Sequence, residues 1–293
     1  MRKIVATFLF FTSGLLASPP ARAQSFSVGY SYYPYSRLEQ VSGTPSPDAP
    51  THIRVNTLQA TISYPLKFNQ GRTRLENTIV YNFLKFDYRG ADQLLESVQS
   101  YSYTAFFTHD FLNGLGIIAV VTPGFADDFH GPATSSAITL SMALAGSYKF
   151  SEDFKVGLGV AIDTTFGEDV LMPVASVDWA ITDKLWLESV LPLSVQLTYL
   201  PIRLIGFRAT VAVTGNRFHG DANRYNIDNP QLNYSAVTGD LGARLFILPW
   251  LHLSIHGGAT FYRRFEFSDG RKSVAKYDPS NCLLFKVYLG VGE

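Results

Sequence analysis

The chain has 293 residues and a formal net charge of zero, with 24 Lys and Arg against 24 Asp and Glu. Only 16% of residues are charged while 46% are hydrophobic, which is charge-poor beside the ~25% of a typical soluble domain. The balance gives no electrostatic case for nucleic-acid binding, and no stretch after residue 24 supplies the ~20 consecutive apolar residues of a membrane helix.

From the N-terminus, Met1-Arg2-Lys3 is a short basic start, Ile4 to Leu16 a mostly apolar run, and Ala21-Arg22-Ala23 a small-x-small cleavage pattern. These features mark residues 1–23 as a secretory signal peptide with Gln24 as the mature start. Residues 24–293 are then expected to form a single domain. The sole cysteine, Cys282, offers neither an acylation site after the signal nor an internal disulfide.

Period-2 alternation follows, and no amphipathic helix stands out. It predicts strands at roughly 25–38, 54–68, 73–88, 95–111, 115–125, 135–150, 154–166, 170–181, 184–191, 194–200, 204–218, 231–247, 250–267 and 281–291. In the second, Leu58, Ala60, Ile62 and Tyr64 alternate with Thr57, Gln59, Thr61 and Ser63. In the sixth and seventh, Ile138, Leu140, Met142 and Leu144, then Phe154, Val156, Leu158 and Val160, form one greasy face of a hairpin joined at Ser151-Glu152-Asp153. The last strand sets Leu283, Phe285, Val287, Leu289 and Val291 against Lys286 and Tyr288. Two places break the pattern. Between Leu75 and Tyr88 the apolar set changes parity near Phe83-Leu84, which a β-bulge would explain. Gly116 to Val121 is apolar on both faces and leaves its orientation open. The pair at 184–200 is the least regular, so twelve strands is the alternative count.

Every second connection is tight, around Asn69-Gln70-Gly71, Leu112-Asn113-Gly114, Ser151-Glu152-Asp153, Thr182-Asp183, Pro201-Ile202-Arg203 and Leu248-Pro249. The others include Glu39–Pro50, Asp127–Ala133, Gly220–Pro230 and Ser268–Asn281. An even strand number, short turns on one side, longer loops on the other and aromatic residues at the strand ends are the marks of a bacterial outer-membrane barrel. Trp179, Trp186 and Trp250 all flank tight turns, as interfacial rings do, although parity aims Trp186 inward. A secreted soluble sandwich is the competing reading. Its polar face would carry many Lys and Glu, whereas here Gly, Ala, Ser and Thr dominate, which suits a crowded barrel interior. The expected fold is therefore all-β, an antiparallel up-and-down transmembrane β-barrel. Leu158 then faces lipid, and Gly159 faces the lumen at a position expected to tolerate serine.

The segment "DKLWLESVLPLSVQLTYLPIRLIGFRATVAVTGNRF" has tight hairpins around a Leu-Pro and ends in a Gly-Asn-Arg-aromatic step. With the signal peptide and the alternating strands, it resembles a bacterial outer-membrane β-barrel family of unknown function over most of the mature chain. The resemblance implies a Gram-negative, porin-like protein. The ending Gly290-Val291-Gly292-Glu293 departs from the terminal aromatic residue that the assembly machinery of such barrels commonly recognises.

Ten charged or titratable residues are expected to line the lumen: Asp178, Glu188, Arg208, Asp240, Arg244, His252, His256, Arg264, Glu266 and Lys286. They fit either an interior salt-bridge network or a charge-lined constriction that selects solutes. His252 and His256 lie about 13 Å apart along one strand face, too far to share a metal ion, so neither metal nor cofactor is expected. No serine stands in a nucleophile context near Thr108-His109-Asp110 or Phe218-His219-Gly220-Asp221, and no catalytic residue is assigned. The first expectation is a narrow channel or small-solute transporter. A non-conducting barrel that binds through its outer loops is the alternative, and a barrel hydrolase the third. Expected partners are outer-membrane lipid and lipopolysaccharide, the barrel assembly machinery and a small solute, with no nucleic acid.

Overall fold

The computed structural model describes residues 25–43, 50–90, 96–131, 134–166, 169–222, 228–270 and 272–292. The expected signal peptide lies outside them. Among the described residues fifteen strands follow in order: β1 Ser25–Gly43, β2 His52–Phe68, β3 Thr73–Arg89, β4 Ser97–Asp110, β5 Leu115–Asp127, β6 Ile138–Ser151, β7 Phe154–Asp163 and β8 Val170–Thr182. They continue with β9 Leu185–Leu191, β10 Ser194–Ile202, β11 Ile205–His219, β12 Pro230–Leu248, β13 Leu251–Asp269, β14 Lys272–Pro279 and β15 Leu283–Val291. Consecutive strands pair antiparallel up to β13, and β1 closes the sheet against β14 and β15.

β14 and β15 are two halves of one wall strand. Both lie between β13 and β1, and the register runs unbroken from Phe265↔Tyr277 to Ala259↔Leu283 and from Leu38↔Pro279 to Tyr32↔Phe285. The interruption is at Ser280–Cys282, where Thr260 N donates to Cys282 O at 2.9 Å and Cys282 N to Thr260 Oγ1 at 3.0 Å. The wall therefore has fourteen strands, and the alternative of twelve falls away. The expected loop Ser268–Asn281 is corrected: most of it is β14.

The lower barrel follows the alternation. Leu58, Ile79, Tyr103, Ile117, Leu144, Leu158, Leu241 and Leu289 are exposed on the outer face. In the segment left open, Ile117 and Val121 face out while Ile118 and Val120 face in. Around the Ser151–Phe154 turn the rings of Tyr148, Phe150, Phe154 and Trp179 form a chain, with successive centroids 4.8, 5.6 and 5.6 Å apart. This is an aromatic girdle at the end that carries the tight turns. An apolar band above such a girdle is stable only against lipid, because in water each of these side chains would stay solvated.

The upper barrel inverts that polarity. There the outer face carries Arg54, Asn56, Lys85 and Asp87, with Arg54 Nη2 2.9 Å from Asp87 Oδ2. The guanidiniums of Arg54 and Arg89 lie over the Tyr35 ring, 4.9 and 3.8 Å from its centroid. Inside, Tyr33, Leu38, Ile53, Val55, Leu84, Phe86, Val98, Ala126, Phe218, Leu232, Tyr234, Ala236, Phe265, Tyr277 and Leu284 pack into one buried core. Polar outside and apolar inside is the pattern of a protein in water, so this crown stands above the membrane. β3 shows the change most directly. Its register with β2 is continuous from His52↔Arg89 to Phe68↔Thr73, so the expected bulge near Phe83-Leu84 is absent. Leu84 and Phe86 turn inward on a regular strand because the interior at that height is the apolar core.

Candidate functional site

Eight of the ten expected lumen residues stand on the inner face: Asp178, Glu188, Arg208, Asp240, Arg244, His252, His256 and Lys286. Their strands place them by parity, and cross-strand register decides which of them meet. Asp240 on β12 is the centre of a buried cluster: Oδ1 lies 2.8 Å from His256 Nδ1 on β13, and Oδ2 accepts from Lys286 Nζ on β15 at 2.7 Å. Asp240 stands opposite Thr210, and Arg208 stands opposite Gly242. Arg244 Nε donates to Ser254 Oγ at 3.3 Å. On the other side of the barrel Lys155, Asp178 and Glu188 are consecutive cross-strand neighbours on β7, β8 and β9. Lys155 Nζ donates to Asp110 Oδ1 at 2.6 Å, and Glu188 accepts from Gln196.

Glycines let rings lie flat against this wall. A Cβ on Gly242 would fall 2.3 Å from the His256 ring, and one on Gly29 would fall 2.2 Å from Tyr288. Each ring covers the glycine of the neighbouring strand, which keeps the ring out of the lumen centre and fixes its orientation.

Arg264 and Glu266 are a correction. Val237 pairs with Tyr262 but Thr238 with Thr260, so Phe261 is the extra residue of a bulge. Parity reverses above it. Arg264 bonds Asp278 at 3.3 Å and Glu266 pairs with Lys276, both on the outer face of the crown. Arg263 turns inward instead, is 1% exposed, and donates to Ser36 Oγ and to Ser280 O. Sequence reasoning missed it because nothing separates Arg263 from Arg264 without knowledge of the bulge. Above the membrane, burial raises the hydroxyl pKa of Tyr234 to about 12 and lifts that of Tyr33 well above the ordinary value, so both stay neutral in the crown. Among the described residues no three His, Cys, Asp or Glu side chains converge as a metal site would require.

Between the charged floor and the crown lies a cavity of about 190 Å³. Phe106, Ile118, Val120, Val174, Val190 and Leu193 give it an apolar wall, and Asn82, Ser100, Thr122 and Asn216 add polar atoms. This apolar side of the interior was not among the expected features, because its Ala, Val and Thr residues read as filler between strands.

The family model described as "Domain of unknown function (DUF6268)" matches residues 20–292. No curated protein matches. Among solved structures, the chain is similar to the COG4313 outer membrane channel from Pseudomonas putida F1, at 10% identity and a TM-score of 0.54, covering 97% of this chain and 100% of that one. KdgM porin aligns at 8% identity over 90% of this chain and 98% of that one, with a TM-score of 0.36. The Pseudomonas putida toluene transporter TodX aligns at 8% identity over 91% and 89%, with a TM-score of 0.37. At these identities the first likeness speaks for the fold, that of an outer-membrane barrel, and the other two carry no argument.

Proposed function

We propose that this chain, which belongs to the DUF6268 family, is a small-solute channel or transporter of the bacterial outer membrane. The observation that carries the reading is the hollow middle of the barrel: a 190 Å³ cavity above a mixed-charge floor, inside an apolar outer band. A purely structural barrel gains nothing by leaving such a space, since each unfilled volume costs packing energy. Lipid and lipopolysaccharide surround the band in this reading, and the barrel assembly machinery inserts the chain after cleavage behind Ala23. The cross-strand charges act in it as solute-orienting groups, and none is given a catalytic role.

The packed crown covers the outer end of the lumen. The native protein in planar bilayers is therefore expected to conduct weakly. Removing two facing rings of the crown core, Phe86→Ala with Phe265→Ala, is expected to produce discrete conductance steps. The rings lie 5.7 Å apart, so both truncations empty one contiguous space. If the doubly truncated barrel still folds, as heat-modifiable gel mobility reports, and yet stays silent, the lumen is not a conduit and the structural reading replaces this one.

A further inference from the structure

The outer face of the barrel changes character at the top of the apolar band, and tyrosines mark the level. Tyr30 Oη donates to Asn56 Oδ1 at 2.7 Å and Tyr81 Oη to Gln99 Oε1 at 2.9 Å. Tyr30 stands opposite Leu58 and Tyr81 opposite Tyr101, so each hydroxyl reaches the outer-face residue one step above its cross-strand partner. The rings stay with the band and the hydroxyls leave it, as interfacial aromatics do. Side chains above those hydroxyls meet the lipid head groups.

β2 gives the heights. Phe68 is its last outer-face ring before the tight turn at Asn69–Gly71. At ~3.3 Å per residue and a tilt of ~40°, Leu58 stands about 25 Å above Phe68, which is the height of the apolar band. Asn56, Arg54 and His52 follow at about 30, 35 and 40 Å. On β3 Lys85, Asp87 and Arg89 face them in that order, and Arg37 on β1 faces His52. A polar strip thus rises ~15 Å above the band on β1–β3. The head-group layer of a phospholipid bilayer adds only ~5–8 Å on each side.

The strip is rich in cations. On β13 and β14 the outer-face charges pair one to one, Arg264 with Asp278 at 3.3 Å and Lys276 with Glu266 at 3.6 Å. On β1–β3 four cations, Arg37, Arg54, Lys85 and Arg89, stand with two carboxylates, Glu39 and Asp87. Asp87 Oδ2 accepts from Arg54 Nε at 3.0 Å and Nη2 at 2.9 Å, and Oδ1 lies 3.7 Å from Lys85 Nζ. Glu39 is 3.8 Å from Arg37, both mostly exposed, so that pair is weak. Among the described residues no ion pair joins Arg89 to a carboxylate; its guanidinium lies 3.8 Å from the centre of the Tyr35 ring. Stacking uses the face of a guanidinium and leaves its N–H edge to an oxyanion. Arg37 and Arg89 flank His52 on adjacent strands, so their Cα atoms are ~10 Å apart. Cations gathered in this way repel one another, and a bound anion removes that cost.

We propose that this strip binds the phosphate groups of outer-leaflet lipopolysaccharide, with Lys85 and Arg54 nearest the acyl chains and Arg89 and Arg37 above them. A glycolipid fits better than a phospholipid because its phosphates are carried on sugars, across a layer as deep as the strip. The inference goes beyond transport and holds whether or not the lumen conducts.

The test titrates fluorescently labelled lipopolysaccharide onto the full chain in detergent micelles and reads binding by anisotropy. EDTA is present so that no divalent cation bridges a phosphate to Asp87. Lys85→Gln with Arg89→Gln is expected to weaken binding about tenfold or more, equivalent to about 1.4 kcal/mol. Arg264→Gln with Lys276→Gln removes the same charge from another part of the crown and is expected to leave the affinity unchanged. Dephosphorylated lipopolysaccharide is expected to bind the parent as weakly as the intact lipid binds the Lys85 and Arg89 double variant. Millimolar inorganic phosphate and phosphatidylglycerol are expected to compete poorly. Lys85 and Arg89 are both exposed, so heat-modifiable mobility is expected to persist; if the double variant misfolds, Lys85→Gln alone, expected to weaken binding several-fold, carries the test. Parental affinity in the double variant, or an equal loss in the Arg264 and Lys276 pair, overturns the assignment to this strip. Undiminished binding of the dephosphorylated lipid overturns phosphate recognition. Displacement by inorganic phosphate or phosphatidylglycerol overturns the commitment to lipopolysaccharide.

Discussion

Leu158 and Gly159 are adjacent on β7 and face opposite media, so substituting each in turn probes both sides of the wall. Leu158 is 72% exposed on the outer face. It lies four positions above Phe154 of the girdle, about 10 Å up the barrel at the usual rise and tilt. That is close to the middle of an apolar band ~25 Å tall, where an arginine facing lipid costs ~2–4 kcal/mol. At 1.4 kcal/mol per tenfold, the folded-to-unfolded ratio should fall about 30- to 700-fold. Gly159 was expected to tolerate serine as a lumen-facing position. The structure reverses that expectation, because a Cβ there would stand 2.2 Å from Leu144 O and 2.5 Å from Ala145 Cβ. A backbone oxygen cannot swing aside as a side chain can, so Gly159→Ala and Gly159→Ser should each cost the ~1–3 kcal/mol of an overpacked site. Urea titration in phospholipid vesicles, read by tryptophan fluorescence and by heat-modifiable gel mobility, gives both values. A Leu158→Arg protein as stable as its parent would mean that this face does not meet lipid. A neutral Gly159→Ala would mean that β6 and β7 do not approach as closely as their register implies.

Three further outcomes follow from the lumen and the crown. Asp240→Asn should destabilise the barrel by about 3–5 kcal/mol, because Lys286 is left buried without its carboxylate; Asp240→Leu with Lys286→Met should recover most of that loss in the same urea titration. Arg263→Ala should cost well over ~1 kcal/mol, since it vacates a fully buried site and frees Ser36 and Ser280 O; Arg264→Ala, one residue on and half exposed, should stay within about 1 kcal/mol, and equal losses would count against the bulge at Phe261. Phe86→Ala alone should destabilise by about 3–5 kcal/mol as a large truncation in a packed core, measured by the midpoint of unfolding.

Most strands were legible because lipid outside and small or polar residues inside impose one rule on every strand of the lower barrel. The expected strand at 184–191 and the observed β9 Leu185–Leu191 differ by a single residue at one end. What the alternation could not show is that the rule itself changes with height. A residue's parity records which face it takes, and its polarity records what that face meets. Above the membrane the second quantity inverts, since water replaces lipid outside and the crown core replaces the open lumen inside. On β3 only this inversion occurs, so the apolar set jumps from Ile79, Tyr81 and Phe83 to Leu84 and Phe86, and a regular strand imitates a bulge. On β13 the polarity inverts and a real bulge at Phe261 inverts the parity as well. The two changes cancel, and the apolar residues keep one parity from Leu253 and Ile255 through Phe261 to Phe265 and Phe267, with Gly257 and Arg263 the exceptions. A real bulge is thereby hidden, and with it the exchange of Arg264 for Arg263 inside the barrel. The same limit hid β14, whose Lys276 and Asp278 read as loop because their outer face meets water and their partners Glu266 and Arg264 had been assigned inward. Register against a neighbouring strand resolves each case, because a bulge shifts the partners on one strand only, whereas a change of surroundings leaves every pair in place.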